Sequence, residues 1–320
     1  MIFGLDGLAP IDGWAMFAIA AKALGYAAAL VAMGGPLFLL AFAAGDGRAP
    51  RRLGGRTEAD AGARPRPLVE PDVARLVRRL AAAAALVGLL VLAVRFGIRA
   101  ARISGMGVEA MTDPTMLGFV WNSPLGSAAV WRGAGEALVL AILIPGIVGL
   151  GLASVGAVLI AVSYAFVGHS LGDPRWMLAT LLIVHLLAAS YWVGALVPLR
   201  RAAASPAGAA LLHRFGTIAS GTVALLIAVG VSFAWLLSGS MGALLGTAYG
   251  WTLLAKVAFV SGLLALAALN KLRLVPALER GEATAASALR RSIAWEITLV
   301  AVILLLTATL TTITVPPVNL

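Results

Sequence analysis

Residues 169–199 read HSLGDPRWMLATLLIVHLLAASYWVGALVPL, and this stretch decides the fold class. From Trp176 to Val197 it carries no charged residue, and about 20 apolar residues suffice to cross the hydrocarbon core of a bilayer. The stretch therefore predicts a transmembrane helix. His185 lies inside it, roughly 13 Å from Trp176 at ~1.5 Å per residue, where a polar group without a partner is costly.

The composition extends this prediction to the whole chain. Of the 320 residues, 61% are hydrophobic and only 12% are charged, which is typical of a polytopic helical membrane protein. The segments expected to span are about 14–42, 80–98, two short segments within 131–169, 176–197, 215–237, 250–270 and 292–313. We therefore predict an all-α polytopic membrane protein, a bundle of about eight transmembrane helices in a single integral membrane domain, 1–320.

The basic residues predict how this bundle is oriented. Most Lys and Arg fall in the segments 45–79, 198–214 and 271–291. The first of these is rich in Arg, Gly, Pro and Ala and is expected to be a disordered basic cytoplasmic loop. Because cytoplasmic loops are enriched in Lys and Arg, all three segments are expected inside and both termini in the periplasm. The partner is then the lipid bilayer of the cell inner membrane, and the net charge of +10 does not indicate nucleic acid.

Two glycine-rich stretches predict local features of the helices. Gly34, Gly35 and Pro36 are expected to kink the first span near its far end. The two short segments within 131–169 are expected to be joined by a tight inner turn near Gly149 to Gly151.

The available metal ligands are imidazole, thioether and carboxylate groups, because the chain contains no cysteine. Thioether sulfur suits Cu(I), although methionine also fills gaps in apolar cores. The expected topology places six methionines on the outer side, namely Met16, Met106, Met111, Met116, Met177 and Met241. His169 lies across a short loop from Met177, and His185 lies two turns deeper. We predict that His169 and Met177 form an entry site and that His185 is a deeper, successive site. The predicted metal-binding residues are His169, Met177, His185, Met241, Met106, Met111 and Met116.

Ionisable residues inside the predicted spans form the second group of interest. Glu136 and Lys256 are both expected in the outer half of the bilayer, where such residues usually face the bundle interior and pair. We predict that they form a buried polar network that supports the site. Glu296, two turns from Arg290, is expected to pair with basic residues at the loop ends.

Several pieces of the sequence resemble the copper resistance D family. They are GHS at 168–170, HLLAASYWVGALVPL at 185–199 and the runs at 249–278 and 290–317. The resemblance covers 130–317 best, and AKALGYAAALVAMGGPLF at 21–38 is similar to the family's first helix. It implies an eight-helix inner-membrane protein that moves copper ions between periplasm and cytoplasm. A periplasmic copper-binding chaperone is the soluble partner expected with it.

We therefore predict Cu(I) transport contributing to copper uptake, homeostasis or resistance, and no enzyme activity. The sequence has no P-loop, so active pumping by this chain alone is not expected. One alternative is a b-type haem-binding membrane redox protein, because WVGAL after a histidine resembles membrane enzymes of protoporphyrinogen oxidation. His185 would then be an axial ligand. A third possibility is a structural partner of an outer-membrane copper system.

Overall fold

The computed structural model describes residues 8–9, 11–43, 68–168, 174–204 and 208–316, and these residues are helical almost throughout. The α-helices are α1 (Gly13–Ala43), α2 (Pro71–Ser104), α3 (Pro114–Trp121), α4 (Pro124–Val139), α5 (Ile147–Ser163), α6 (Arg175–Ala202), α7 (Ala209–Ser238), α8 (Met241–Gly246), α9 (Ala248–Leu269), α10 (Val275–Glu279) and α11 (Ala285–Ile313). Short 3₁₀ turns extend α4 and α5, and a π-helical segment, Asn270–Leu274, joins α9 to α10.

Eight helical segments of the described chain are long and apolar enough to cross a membrane. They are α1, α2, α4, α5, α6, α7, α9 continued through α10, and α11. This confirms the predicted all-α class and the predicted number of spans.

The two ends of the described chain meet. Leu8 and Thr314 form an antiparallel bridge, and the Ala9 N–H donates to the Ile313 carbonyl at 2.8 Å. This contact is consistent with an even number of spans, which places both ends on the same side of the bundle. We call this end of the bundle the outer end, following the predicted orientation, and the opposite end the inner end.

Helix α1 is the centre of the bundle and packs against α2, α6, α11 and α5. Met33, Phe38 and Phe42 on its inner half are fully buried. The Phe42 ring lies 6.3 Å from that of Tyr191 on α6, which in turn stacks at 5.4 Å on Phe215 of α7. Close aromatic packing of this kind joins three helices around one core.

Glycines set how closely the central helices approach. A Cβ on Gly34 would lie 2.2 Å from the Ser190 carbonyl oxygen and 2.6 Å from the Gly194 Cα atom, so α1 and α6 cross with their backbones in contact. A Cβ on Gly35 would lie 2.5 Å from the Cβ atom of Ala81 on α2. Helix α1 is continuous through Pro36. The glycines expected to kink α1 are therefore the packing surface for its neighbours, as small residues are in many membrane helix pairs.

Helix α2 begins earlier than the sequence predicts. It starts at Pro71, so residues 71–79 of the predicted loop are helical, whereas residues 44–67 lie outside the described residues. Val73 and Val77 are buried. Burial of these side chains, and not the apolar run alone, therefore sets the start of the helix.

The turn between α4 and α5 also differs from the prediction. It lies at residues 144–146, and Gly149 and Gly151 belong to α5. Gly146 has a φ of +91°, which glycine adopts without steric cost. Arg78 of α2 donates to the Ile142 carbonyl at 2.5 Å and satisfies one of the free carbonyl groups beside this turn.

Candidate metal path

His185 lies on α6, ten residues after the helix begins, or roughly 15 Å along it at ~1.5 Å per residue. Its ring packs edge-on against Phe233 of α7, with the ring centroids 6.4 Å apart. The Nδ1 atom is buried, and no described residue hydrogen-bonds to it. An imidazole nitrogen in this state retains its capacity to bind a proton donor or a metal ion.

Lys256 of α9 is the charged residue that acts on His185. It lies eight residues after the start of α9, at a depth similar to that of His185. Among the described residues it forms no salt bridge. Because a protonated amine repels a second cation, Cu(I) binding at His185 is weaker while this amine is protonated and close to the ring.

The five methionines predicted as metal ligands lie at or near the outer end but in two separate groups. Met106, Met111 and Met116 belong to the segment between α2 and α4, and Met111 packs against Gly97. Met177 lies on α6, two turns before His185, and Met241 begins α8, where it is 67% exposed. Thus only Met177 shares a helix with His185. His169 lies outside the described residues.

Glu136 is fully buried on α4, and its nearest cation is on its own helix. The Arg132 guanidinium lies 3.9 Å from the carboxylate, donates to the Ser163 hydroxyl at 2.9 Å and covers the Tyr164 ring at 3.8 Å. A Cβ on Gly88 of α2 would lie 2.3 Å from the Glu136 Oε1 atom, so this glycine makes room for the carboxylate.

The structure does not bring Glu136 and Lys256 together. Helix α4 packs against α5, α2 and α3, whereas α9 packs against α11 and α8. The two residues share a depth, which is what the sequence indicated, but they face different neighbours. Depth along a span can be read from the sequence, whereas the neighbours of each span depend on the tertiary packing.

A second buried polar cluster lies nearer the inner end, which we call the Glu296 cluster. The Glu296 carboxylate on α11 accepts hydrogen bonds from Trp192 Nε1 at 3.4 Å and from Asn270 Nδ2. Asn270 opens the π-helical segment, and its Oδ1 atom is buried without a hydrogen-bond partner among the described residues, as is Ser292 Oγ. The expected pairing of Glu296 with basic residues at the loop ends is not observed among the described residues. In the sequence, this cluster is marked only by a carboxylate, an amide and an indole that each lie within an apolar run.

Comparison with known families decides the class of this protein. A model of the copper resistance protein D-like N-terminal domain matches residues 11–177, and a model of copper resistance protein D matches residues 209–310. The chain belongs to the copper resistance protein D family. Neither the curated proteins nor the solved structures contain a match to it.

Membership of the copper resistance protein D family gives the buried groups a chemical context. It makes the chain a multi-pass membrane protein associated with copper resistance and transport, as its resemblance to the family predicted. His185 lies in the stretch 178–208 between the two matched segments. Its position in the bundle, and not the match, therefore identifies it as a candidate ligand.

The buried groups differ in ligand type along the bundle of this copper resistance protein D family member. Imidazole and thioether groups, which suit Cu(I), lie in the outer half at His185 and Met177. Carboxylate, amide and hydroxyl groups, which suit protons and hard cations, lie in the Glu296 cluster. The described residues contain no group of three or more His, Asp or Glu side chains close enough to hold one metal ion.

Proposed function

We propose that this protein carries Cu(I) across the cell inner membrane, from the outer end of the bundle toward the inner end, and has no enzyme activity. The observation that carries the proposal is the buried Nδ1 atom of His185, which has no hydrogen-bond partner among the described residues. An imidazole at this depth is costly unless it binds something, and in this family copper is the natural ligand.

The outer groups would deliver the ion. Exposed thioethers of Met106 and Met241 would collect Cu(I) at the outer end. His169 and Met177 would form an outer site, and His185 a deeper site two turns along α6. A periplasmic copper-binding protein is the proposed donor, because free copper ions are scarce wherever strong ligands compete for them.

The test is anaerobic titration of the purified protein with Cu(I) against a competing chelator. His185→Ala should lose the deep equivalent of Cu(I) and retain weaker thioether binding. His213→Ala is the matched control, because His213 is exposed at the inner end, where it pairs with Glu279 at 3.0 Å. It should retain the wild-type stoichiometry.

Uptake by cells separates the outer site from the deep site. Met177→Leu should slow copper accumulation while leaving more of the equilibrium capacity, because an outer site governs access and a deep site governs retention. Wild-type stoichiometry and accumulation in His185→Ala would show that His185 is a packing residue. A Soret band in the visible spectrum of the purified protein would instead support a haem-binding function.

A further inference from the structure

Among the described residues, the Glu296 carboxylate is buried without a counter-ion. Only 4% of the residue is exposed, and the groups that donate to it, Trp192 and Asn270, are neutral. The salt bridges among the described residues use other carboxylates, namely Asp72, Glu136, Glu279 and Glu282. Because a buried charge without a partner is strongly unfavourable, this carboxylate must either bind a proton or have a cation brought close to it.

The fixed cations around α11 are engaged elsewhere or lie at its exposed inner end. On α1, Lys22 donates to the Thr311 carbonyl, 15 residues beyond Glu296 and roughly 22 Å along the helix at ~1.5 Å per residue. On α9, Lys256 acts electrostatically on His185 and not on Glu296. Neither of these amines reaches the Glu296 cluster.

The cations near the inner end have partners of their own or are exposed. Arg200 of α6 donates to the Arg290 carbonyl, and Arg201 pairs with Asp72 at 3.4 Å. Lys271 of the π-helical segment donates to Ser220. The titratable pair His213 and Glu279 joins α7 to α10. Three further arginines, Arg273, Arg290 and Arg291, are exposed.

The amide of Asn270 can serve both protonation states of the carboxylate. Its Nδ2 atom donates to Glu296 Oε1, while its Oδ1 atom has no hydrogen-bond partner in the described part of the chain. When a proton binds at Oε1, the new O–H group needs an acceptor, and rotation of the amide supplies Oδ1. Asn270 thus exchanges one hydrogen bond for another without moving its backbone.

We propose that Glu296 is a proton-binding site of the inner half of the bundle, with Asn270 as its switching partner and Ser292 as its relay toward the inner end. Ser292 lies one turn nearer that end on the same face of α11, and no described residue hydrogen-bonds to its buried hydroxyl. A water-borne proton passes through this hydroxyl and forms an O–H bond on Glu296. No electron is transferred, and the same bond breaks when the proton leaves.

The coupling of this proton to copper rests on the proposed function. Trp192, which donates to Glu296, lies seven residues beyond His185 on α6, roughly 10 Å along the helix at ~1.5 Å per residue. A Cu(I) ion that moves inward from His185 brings one positive charge toward the carboxylate. It therefore favours release of the proton, and the proton returns when Cu(I) leaves.

Infrared difference spectroscopy of the reconstituted protein without copper tests the proton site on its own. A titration should show a carboxylic acid C=O band whose intensity depends on pH. The band should be absent in Glu296→Gln and retained in Glu279→Gln, the matched control at the partly exposed inner end. In Asn270→Leu the band should shift, because the acid loses its acceptor, and this second variant tests the assignment if Glu296→Gln does not fold.

Two outcomes of the titration would overturn the proposal. One is a spectrum of Glu296→Gln identical to that of the wild type. The other is a band whose midpoint moves with Na⁺ concentration, because this would assign the oxygen cluster to a sodium ion.

Proteoliposomes with a trapped pH indicator test the coupling separately. Cu(I) added outside should change the internal pH in the wild type, and Glu296→Gln should lose this change while retaining Cu(I) binding in the chelator titration. If the wild type moves no copper, the proposed function fails while the infrared result stands. If it moves copper and Glu296→Gln shows the wild-type pH change, the coupling fails.

Discussion

The amine of Lys256 lies within electrostatic range of the His185 ring, and this neighbour sets how tightly the site can hold a cation. Two like unit charges about 4 Å apart repel by ~1 kcal/mol in bulk water and by ~4 kcal/mol at the effective dielectric constant typical of a protein surface, and the repulsion falls with distance. We predict that Lys256→Met binds Cu(I) about tenfold more tightly or better, measured by chelator competition. Lys271→Met is the control, because Lys271 lies at the inner end. Weaker binding by Lys256→Met would make Lys256 a supporting residue of the site.

The Arg132–Glu136 pair predicts a stability effect at the residue scale. Arg132→Met leaves a fully buried carboxylate without its cation and should lower the free energy of unfolding in detergent by about 3–5 kcal/mol. Glu136→Gln should lower the free energy of unfolding by less, because Arg132 keeps its hydrogen bond to Ser163 and its contact with the Tyr164 ring. The double variant should therefore be more stable than the sum of the two losses implies.

A double-mutant cycle that pairs Glu136 with Lys256 is the control for this prediction. Glu136→Gln and Lys256→Met should be additive within about 0.5 kcal/mol, since residues without shared contacts do not couple. Strong coupling between these two residues would instead show that Glu136 and Lys256 interact, as the sequence predicts.

At the scale of single residues, the sequence indicates which polar groups are costly to bury but not which residues bind to them. An uncharged run around His185 is enough to predict a buried imidazole. By contrast, the partner of Glu136 is one turn away on α4, and the partners of Glu296 are on α6 and at the start of the π-helical segment. The second set is separated by 104 and 26 residues in sequence, so no local pattern reports it.

Among the elements, the crossing of α1 and α6 makes the sharpest prediction. Gly34→Ala and Gly194→Ala each place a Cβ within 2.6 Å of backbone atoms of the partner helix, so the helices must separate. We expect each change to lower the free energy of unfolding by about 1–3 kcal/mol. Gly221→Ala on α7 is the control, because no atom lies within 4 Å of its Cβ position. It should be neutral or stabilise the protein by up to about 1 kcal/mol.

The lengths of the apolar runs predict how many helices there are better than where they begin and end. Helix α2 gains its first turns from the burial of Val73 and Val77, which no run of apolar residues marks. The turn between α4 and α5 uses the left-handed conformation of Gly146, whereas Gly149 and Gly151 look equally suited to a turn in the sequence. In both cases tertiary packing decides between local alternatives.

Across the whole molecule, the orientation in the membrane remains a prediction that rests on the basic residues. The chain has no cysteine, so single cysteines report their own accessibility. Ser240→Cys, between α7 and α8, should react with a membrane-impermeant maleimide added to intact cells. Glu282→Cys, between α10 and α11, should react only after the cells are permeabilised. The opposite pattern of labelling would place both termini in the cytoplasm.

The hydrogen bond from Lys22 to the Thr311 carbonyl has a consequence for biosynthesis. The two residues are 289 positions apart, so at ~5–20 residues per second the partner emerges roughly 15–60 s after the lysine. During that interval the amine of α1 must reach the polar surface of the bilayer by extending along its own helix. Helix α1 thus enters the membrane before α11 but depends on α11 for its last contacts, so α11 completes the packing around α1.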